Sequence, residues 1–310
     1  MIDFKTEQPG AHGAEAHGAA GAPPVTSAGS PSTVEGAPSG GGRLRKWSAA
    51  SARAVLPPFV VFVIVIGIWL FVTYVVLDAQ RRFLLPPPQD VVSVGFFQAA
   101  NRDEIFSALW STTRVAIVGL AWAIALGSAF AITMSWGRWV ERSLYPWAVV
   151  LQTLPLLAIV PVIGFWFQYN FKSRVIVCVL ISLFPIITNT LFGLKSVDQA
   201  HRDLFKLHKV GPLKRLVKLE IPSALPAIFT GWRISAGLSV IGAIVGDFFF
   251  QQGTPGIGRL IQTYTSQLQT DQLFAAVIVC VLLGLATFWS FGFLAWLLVG
   301  SWHESGRRKD

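Results

Sequence analysis

Residues 197–233 read VDQAHRDLFKLHKVGPLKRLVKLEIPSALPAIFTGWR, a basic polar segment that lies between long apolar runs and closes on two prolines. The stretch 197–210 predicts a short helix that ends near Gly211-Pro212. Leu204, Phe205 and Leu207 put apolar side chains on this predicted helix, and exposed apolar groups on a polar loop indicate a contact with a partner. A charged loop of this size between two membrane crossings therefore predicts docking at the cytoplasmic face.

Composition places most of the chain in lipid. Of 310 residues, 53% are hydrophobic and 13% are charged, and the mean hydropathy is +0.57, values typical of membrane proteins. The Lys and Arg residues are spread between apolar runs rather than gathered in one patch with aromatic side chains, which disfavours nucleic-acid binding. Cys178 and Cys280 lie inside apolar segments without a neighbouring metal ligand and are interpreted as buried thiols.

The hydropathy pattern predicts an all-α polytopic membrane protein with six transmembrane helices. Each expected crossing is long enough for about 30 Å of hydrocarbon, and the six lie at 55–77, 109–134, 144–166, 174–194, 223–245 and 273–300. The expected domains are a disordered cytoplasmic tail over 1–54, a six-helix membrane domain over 55–300 with a cytoplasmic loop at 195–222, and a short cytoplasmic tail over 301–310.

The distribution of basic residues predicts the orientation. Of the 25 Lys and Arg residues, 17 fall on the side of the two termini and of the 195–222 loop, seven fall on the opposite side, and Arg233 remains within the fifth crossing. Because cytoplasmic segments keep the excess of positive charge, both termini are expected on the cytoplasmic side of the membrane.

Small residues recur every four positions in the second crossing, at Gly119, Ala123, Gly127 and Ala131, and the fifth crossing repeats the pattern at Gly242 and Gly246. Faces without bulky side chains let two helix backbones approach closely. Helix packing is the favoured interpretation and contact with a solute is the alternative.

Enzymatic chemistry finds little support in the sequence. The chain has no phosphate-binding G-x-x-x-x-G-K-[ST] motif and no pair of acids within the crossings, so any ATP is expected to bind another chain. Gln152, Thr153 and Asn189 are candidates for the solute path, although interhelical hydrogen bonds explain them equally well. Arg233 either bonds to helix-end carbonyls or attracts an anion in the path.

Two classes of function can be weighed against the sequence before any family resemblance is considered. An ion-coupled secondary transporter would work without an ATPase partner, but such proteins usually carry a buried acid or inverted repeats. A membrane-embedded enzyme or assembly scaffold would need a catalytic constellation or a large soluble domain, and the sequence shows neither.

Several segments, taken in order, resemble one family. They are LPPP at 85–88, STTRV at 111–115, TLPLLAIVPVIGFW at 153–166, FPIITNT at 184–190 with GLKSVD at 193–198, and IPSALPAIFTGWRI at 221–234. The chain is similar to the membrane permease subunit of binding-protein-dependent (type I) ABC importers, in the branch for nitrate, sulfonates, taurine and pyrimidine precursors.

The resemblance implies a homodimer of this chain in a bacterial inner membrane, two ATP-binding subunits that carry ATP and Mg²⁺, and an extracellular or periplasmic solute-binding protein. It also implies that the 195–222 loop holds a coupling helix with a Glu-Ala-Ala motif and a downstream Gly. Asp203, Leu204 and Phe205 stand at the motif positions, Lys209 stands at the Gly position, and Gly211 and Pro222 follow. On this basis the chain has no catalytic residue, metal or cofactor of its own, and its solute is a small organic anion or heterocycle.

Overall fold

The computed structural model describes residues 41–250 and 252–299, and every regular element in these ranges is a helix. The predicted all-α class is confirmed. Residues 1–40 and 300–310 of the expected tails lie outside the described residues. The chain divides into two units between Phe59 and Val60, and the packing described below belongs to the second.

Eleven α-helices occur in the described ranges. They are α1 (Gly41–Phe71), α2 (Pro88–Val92), α3 (Ala99–Ser135), α4 (Arg138–Thr153), α5 (Leu156–Phe167), α6 (Phe171–Lys195), α7 (Gln199–Leu207), α8 (Pro212–Arg215), α9 (Ile221–Phe249), α10 (Ile257–Ser266) and α11 (Thr270–Val299). Short π-helical turns follow α1, α2 and α8, and a 3-10 turn spans Ala79–Leu84. Five of the six predicted crossings correspond to straight helical segments that are long and apolar enough to span a membrane.

The third predicted crossing is not a single helix. Arg138–Thr153 and Leu156–Phe167 are bent by 97° at the intervening break. Pro155 caps α5, and a proline cannot donate the backbone hydrogen bond that would continue α4, because its nitrogen carries no proton. At 1.5 Å per residue α5 is about 18 Å long, less than the hydrocarbon thickness.

Helices α3, α6 and α9 form the centre of the fold. A Cβ atom at Gly242 would lie 2.8 Å from the Cα of Cys178, and a Cβ at Gly127 would lie 2.8 Å from Ile186. Gly119 on α3 meets Cys178 from the other side, so the thiol is enclosed by two glycine faces. The small-residue faces predicted from the sequence are confirmed as packing seams.

Helix α9 begins earlier than its predicted crossing. The segment Pro212–Phe249 runs as one helical stretch, and a π-helical turn over Leu216–Glu220 lies just before Pro222. The amide of Ile221 donates to the carbonyl of Leu216 in this turn, so the wider turn accommodates the missing donor of the proline. The loop after α7 is thereby joined to α9 without a break.

Candidate functional site

The loop between α6 and α9 is held against the end of α6 by a charged side chain. The guanidinium of Arg202 donates to the carbonyl oxygens of Leu194 at 2.9 Å and Lys195 at 3.3 Å, which are among the carbonyls that a helix end leaves unpaired. The carboxylate of Asp198 accepts a hydrogen bond from the amide of Ala200 at 3.1 Å and so caps the start of α7. These bonds hold the start of α7 against the end of α6.

Lys209 lies where the hydrogen bonds at the end of α7 close the helix. This residue has a φ of 51°, a left-handed conformation that glycine adopts without cost and other residues do not. The amide of Val210 donates to the carbonyl of Phe205, and the amide of Lys209 donates to that of Lys206, which is the Schellman arrangement of a helix end. A left-handed residue thus stands at the position where the resemblance implies a glycine.

Helix α7 carries the other predicted docking residues on an open surface. The carboxylate of Asp203 accepts from the Lys206 ammonium at 3.0 Å and from the Gln199 amide at 3.1 Å. Leu204 is 49% exposed and Leu207 is 81% exposed, whereas Phe205 is half-buried. Residues three apart share one side of a helix, so the two leucines form a single apolar strip.

Gly211 and Pro222 are the remaining residues of the predicted docking surface. Gly211 has a φ of −63° and has no atom within 4 Å of an added Cβ, so its backbone does not require glycine. Pro222 is exposed in the first turn of α9. Both residues lie along the segment that joins α7 to α9.

The four residues predicted for the solute path occupy separate places. Gln152 and Thr153 are exposed at the end of α4, beside the break before α5. The amide of Asn189 donates to the carbonyl of Pro185 at 2.8 Å within α6, which is an intrahelical bond rather than the expected interhelical one. Among the described residues no hydrogen bond or ion pair joins one of these four side chains to another.

Arg233 makes a contact that the sequence did not predict. Its guanidinium carbon lies 4.0 Å from the centre of the Phe288 ring on α11, a cation–π contact. Gly292 leaves room for it, since a Cβ there would lie 3.2 Å from the guanidinium carbon. Its Nε atom has no hydrogen-bond partner in the part of the chain that the structure describes, so the expected bond to helix-end carbonyls is not found there.

A cavity of about 460 Å³ lies between α3, α9 and α11. Its wall is largely apolar and includes the hydroxyl groups of Thr113, Ser239, Thr287 and Ser290. None of the four predicted path residues lines it.

Sequence reasoning missed a buried polar network at the opposite end of α6 and α9. The guanidinium of Arg174 lies 3.1 Å from the carboxylate of Asp247, and the two side chains are 3% and 0% exposed. The Thr112 hydroxyl donates to the same carboxylate at 2.5 Å and accepts from the amide of Ile257 at 2.8 Å. The fourth predicted crossing begins at Arg174, which puts this residue at the edge of a helix. The signal for its burial is Asp247, which lies near the matching end of α9.

A second contact fastens α10 to α3. The Tyr264 hydroxyl donates to the carboxylate of Glu104 at 3.0 Å. Burial raises the pKa of Tyr264 above its ordinary range, and the hydrogen bond and negative charge of Glu104 raise it further. Tyr264 therefore stays neutral and keeps its donor at physiological pH.

Comparison with known proteins gives one consistent result. Residues 123–299 match the family model described as "Binding-protein-dependent transport system inner membrane component". The formylaminopyrimidine transport permease protein of Halalkalibacterium halodurans is 34% identical over 237 residues, which are 75% of this chain and 90% of that protein. The riboflavin transport system permease protein of Chloroflexus aurantiacus is 30% identical over 231 residues, 74% of this chain and 85% of that protein.

A solved structure supports the fold. The chain matches a crystal structure of an amino acid ABC transporter with histidines at a TM-score of 0.50 and 15% identity, over 65% of this chain and 95% of that one. The family match describes an inner membrane component, and this agrees with the helices that are long and apolar enough to cross a membrane. The chain belongs to the family of inner membrane components of binding-protein-dependent transport systems, and it is a multi-pass permease subunit of an ABC importer.

Proposed function

We propose that this permease couples solute passage to ATP hydrolysis on a separate subunit through α7. The observation that carries the proposal is the exposed strip of Leu204 and Leu207 on a helix that Arg202 fastens to α6. Asp203, Phe205 and Lys209 complete the docking surface, and Gly211 and Pro222 connect it to α9. An apolar strip of this kind on a polar loop is stabilised when a partner covers it.

The mechanism follows from how α7 is attached at its two ends. Arg202 joins its start to α6, and the continuous helix Pro212–Phe249 continues its far end into α9. When two ATP-binding subunits close on ATP and Mg²⁺, they draw the α7 helices of two permease copies together. The attached helices then shift between inward-open and outward-open packings, as a population shift driven by the partner.

The orientation in this proposal puts α7 and both termini in the cytoplasm. The excess of Lys and Arg on that side supports it. The opposite end of the bundle, with α10 and the loop before it, then faces the solute-binding protein outside.

The solute path in this proposal passes the break between α4 and α5. Gln152 and Thr153 border that break, and broken helices in transporters commonly mark solute sites because they free backbone polar groups. Asn189 and Arg233 are assigned to the same path further along. The two relatives are named for formylaminopyrimidine and riboflavin, which supports a heterocycle or small organic anion as the solute.

The test is co-purification of the ATP-binding subunit with the tagged chain. Leu207→Ser removes the most exposed leucine of the strip, and we expect about a tenfold loss of partner recovery, in the range of an interface anchor. Leu268→Ser is the matched control, because Leu268 is 66% exposed at the opposite end of the bundle. Equal recovery with both variants would contradict the docking assignment.

A reconstituted assay separates this function from ion-coupled transport. We expect uptake into proteoliposomes only when the ATP-binding subunit and internal ATP are both present. Uptake driven by a proton gradient with the permease alone would overturn the proposal.

A further inference from the structure

Arg174 is a buried cation that the coupling mechanism does not use. It is 2% exposed at the start of α6, and its guanidinium donates to three backbone carbonyls of the loop between α9 and α10. The acceptors are Phe250 at 3.0 Å, Gln252 at 3.0 Å and Thr254 at 3.1 Å. One rigid fork thus fixes a stretch of backbone that lies outside the helices, while Asp247 neutralises its charge.

The same network sets where α10 begins. Gly256, which precedes α10, has no side chain to cap the helix. The Thr112 hydroxyl instead accepts from the amide of Ile257. Asp247 lies so close that a Cβ at Gly256 would overlap its carboxylate, and the negative charge is favourable at the start of a helix.

Residues 252–255 form the exposed part of this loop, and few other described contacts hold them. Gln252, Gly253, Thr254 and Pro255 are exposed, and Gly253 has a φ of 89°. The described contacts outside the Arg174 fork include a hydroxyl pair, Ser111 and Thr254, at 3.2 Å. Segments with few buried apolar contacts open locally at low free-energy cost, so the fork decides which surface this loop presents.

The loop is also joined to α5. The Phe250 ring is fully buried with Val160 and Ile163 of α5, and it meets the Tyr169 ring edge-on at 5.8 Å between centroids. Tyr169 and the preceding Gln168 have positive φ values of 47° and 67°. A change in the loop is therefore passed to the short helix that follows the break in the third crossing.

We propose that Arg174, held by Asp247, is a positioning residue that presents residues 252–255 and the start of α10 to the solute-binding protein and relays its engagement to α5. The proposal rests on the proposed function, which puts this end of the bundle outside the cell. The solute-binding protein is the occupant because α7, at the other end, is the surface for the ATP-binding subunits.

The principal test is Arg174→Lys in the complete transporter, reconstituted in lipid nanodiscs. Lysine keeps the positive charge beside Asp247, but its single ammonium cannot reach three carbonyls and a carboxylate together. The probe is the solute-binding protein that raises ATP hydrolysis by the unaltered complex. We expect unchanged assembly, a basal ATPase rate within about twofold, and about a tenfold loss of stimulation by the binding protein, a typical size for coupling between sites.

A covalent rescue separates positioning from general stability. Ser111→Cys with Thr254→Cys places two thiols where the hydroxyl oxygens are 3.2 Å apart, close enough for a disulfide after small adjustment. In the Arg174→Lys background, oxidation is expected to restore stimulation and reduction to remove it again. A purely structural role for Arg174 would instead lower assembly and the basal ATPase rate, which are measured on the same samples.

Each outcome decides the proposal. Full stimulation in Arg174→Lys, or no rescue by the disulfide, overturns it. If Arg174→Lys does not assemble, Thr112→Val tests the same network through the α10 cap, and unchanged stimulation in that variant overturns the proposal as well. Failure of the unaltered chain to recruit an ATP-binding subunit contradicts the proposed function itself, whereas a normal basal rate with full stimulation in the variants contradicts only the role of Arg174.

Discussion

The α3–α6–α9 seam and the α7 surface differ in how closely their side chains are packed. In the seam, glycines at 119 and 242 enclose Cys178 so closely that an added Cβ would collide with it. On α7, Leu207 is 81% exposed. The seam is packed by residues of this chain alone, whereas the proposed function requires another protein to cover the α7 surface.

Charges follow the same division. Arg174 and Asp247 are almost fully buried, whereas the Lys206 and Asp203 side chains are 59% and 52% exposed at a similar separation. A buried charge that loses its partner is left without solvent, and an exposed one is rehydrated. The buried ion pair at the start of α6 is therefore expected to have a large effect on the stability of the fold, and the exposed ion pair on α7 a small one.

The largest expected effect comes from removing the cation of the buried pair, and the same change in the exposed pair is its control. Arg174→Met leaves the buried Asp247 without its cation and should destabilise the fold by about 3–5 kcal/mol. Lys206→Met, the matched change at the exposed pair, should cost about 0–1 kcal/mol. Thermal unfolding in detergent measures both, and equal losses would break the comparison.

A methyl group in the seam is expected to have an intermediate effect. A Cβ at Gly242 would lie 2.8 Å from the Cα of Cys178, whereas nothing lies within 4 Å at Gly237 on the same helix. Gly242→Ala should destabilise by about 1–3 kcal/mol through overpacking. Gly237→Ala should be neutral or slightly stabilising, because alanine favours helix, and the two melting temperatures should therefore move apart.

The smallest effect is expected at the end of α7. Lys209→Gly removes the side-chain penalty of a left-handed residue and should stabilise this helix end by about 1 kcal/mol. Hydrogen exchange at the Val210 amide, which bonds to Phe205, should slow about fivefold. Gly211→Ala is the control, since its φ of −63° suits alanine; unchanged exchange in Lys209→Gly would show that the conformation at 209 carries no strain.

The sequence predicted those features that depend on local pattern. Apolar runs predicted five of the crossings and four-residue spacing predicted the seam. The predicted helix at 197–210 was too long, because α7 ends at Leu207 and the left-handed Lys209 stops it before the Gly-Pro pair. The break at Pro155 was not predicted as a 97° bend, because Pro185 and Pro226 lie inside helices that continue, and sequence alone does not distinguish these cases.

Contacts between distant residues were the part that the sequence did not reveal. Arg174 and Asp247 are 73 positions apart in the sequence, and each looks like an ordinary charge near a helix end. Arg233 was assigned to carbonyls or to a solute, and its contact with Phe288 on α11 depends on how α9 and α11 pack. Such pairings are set by tertiary packing rather than by local spacing.

The most direct test of the account places α7 relative to the membrane. Lys209→Cys and Thr254→Cys each put a thiol at an exposed position, at opposite ends of the bundle, and the unaltered chain with its two native cysteines serves as the blank. With a membrane-impermeant maleimide on intact cells, the account predicts labelling at 254 and none at 209, and the reverse in inside-out vesicles. Labelling of Lys209→Cys from outside intact cells would contradict the account, because α7 would then be out of reach of any subunit that hydrolyses ATP in the cytoplasm.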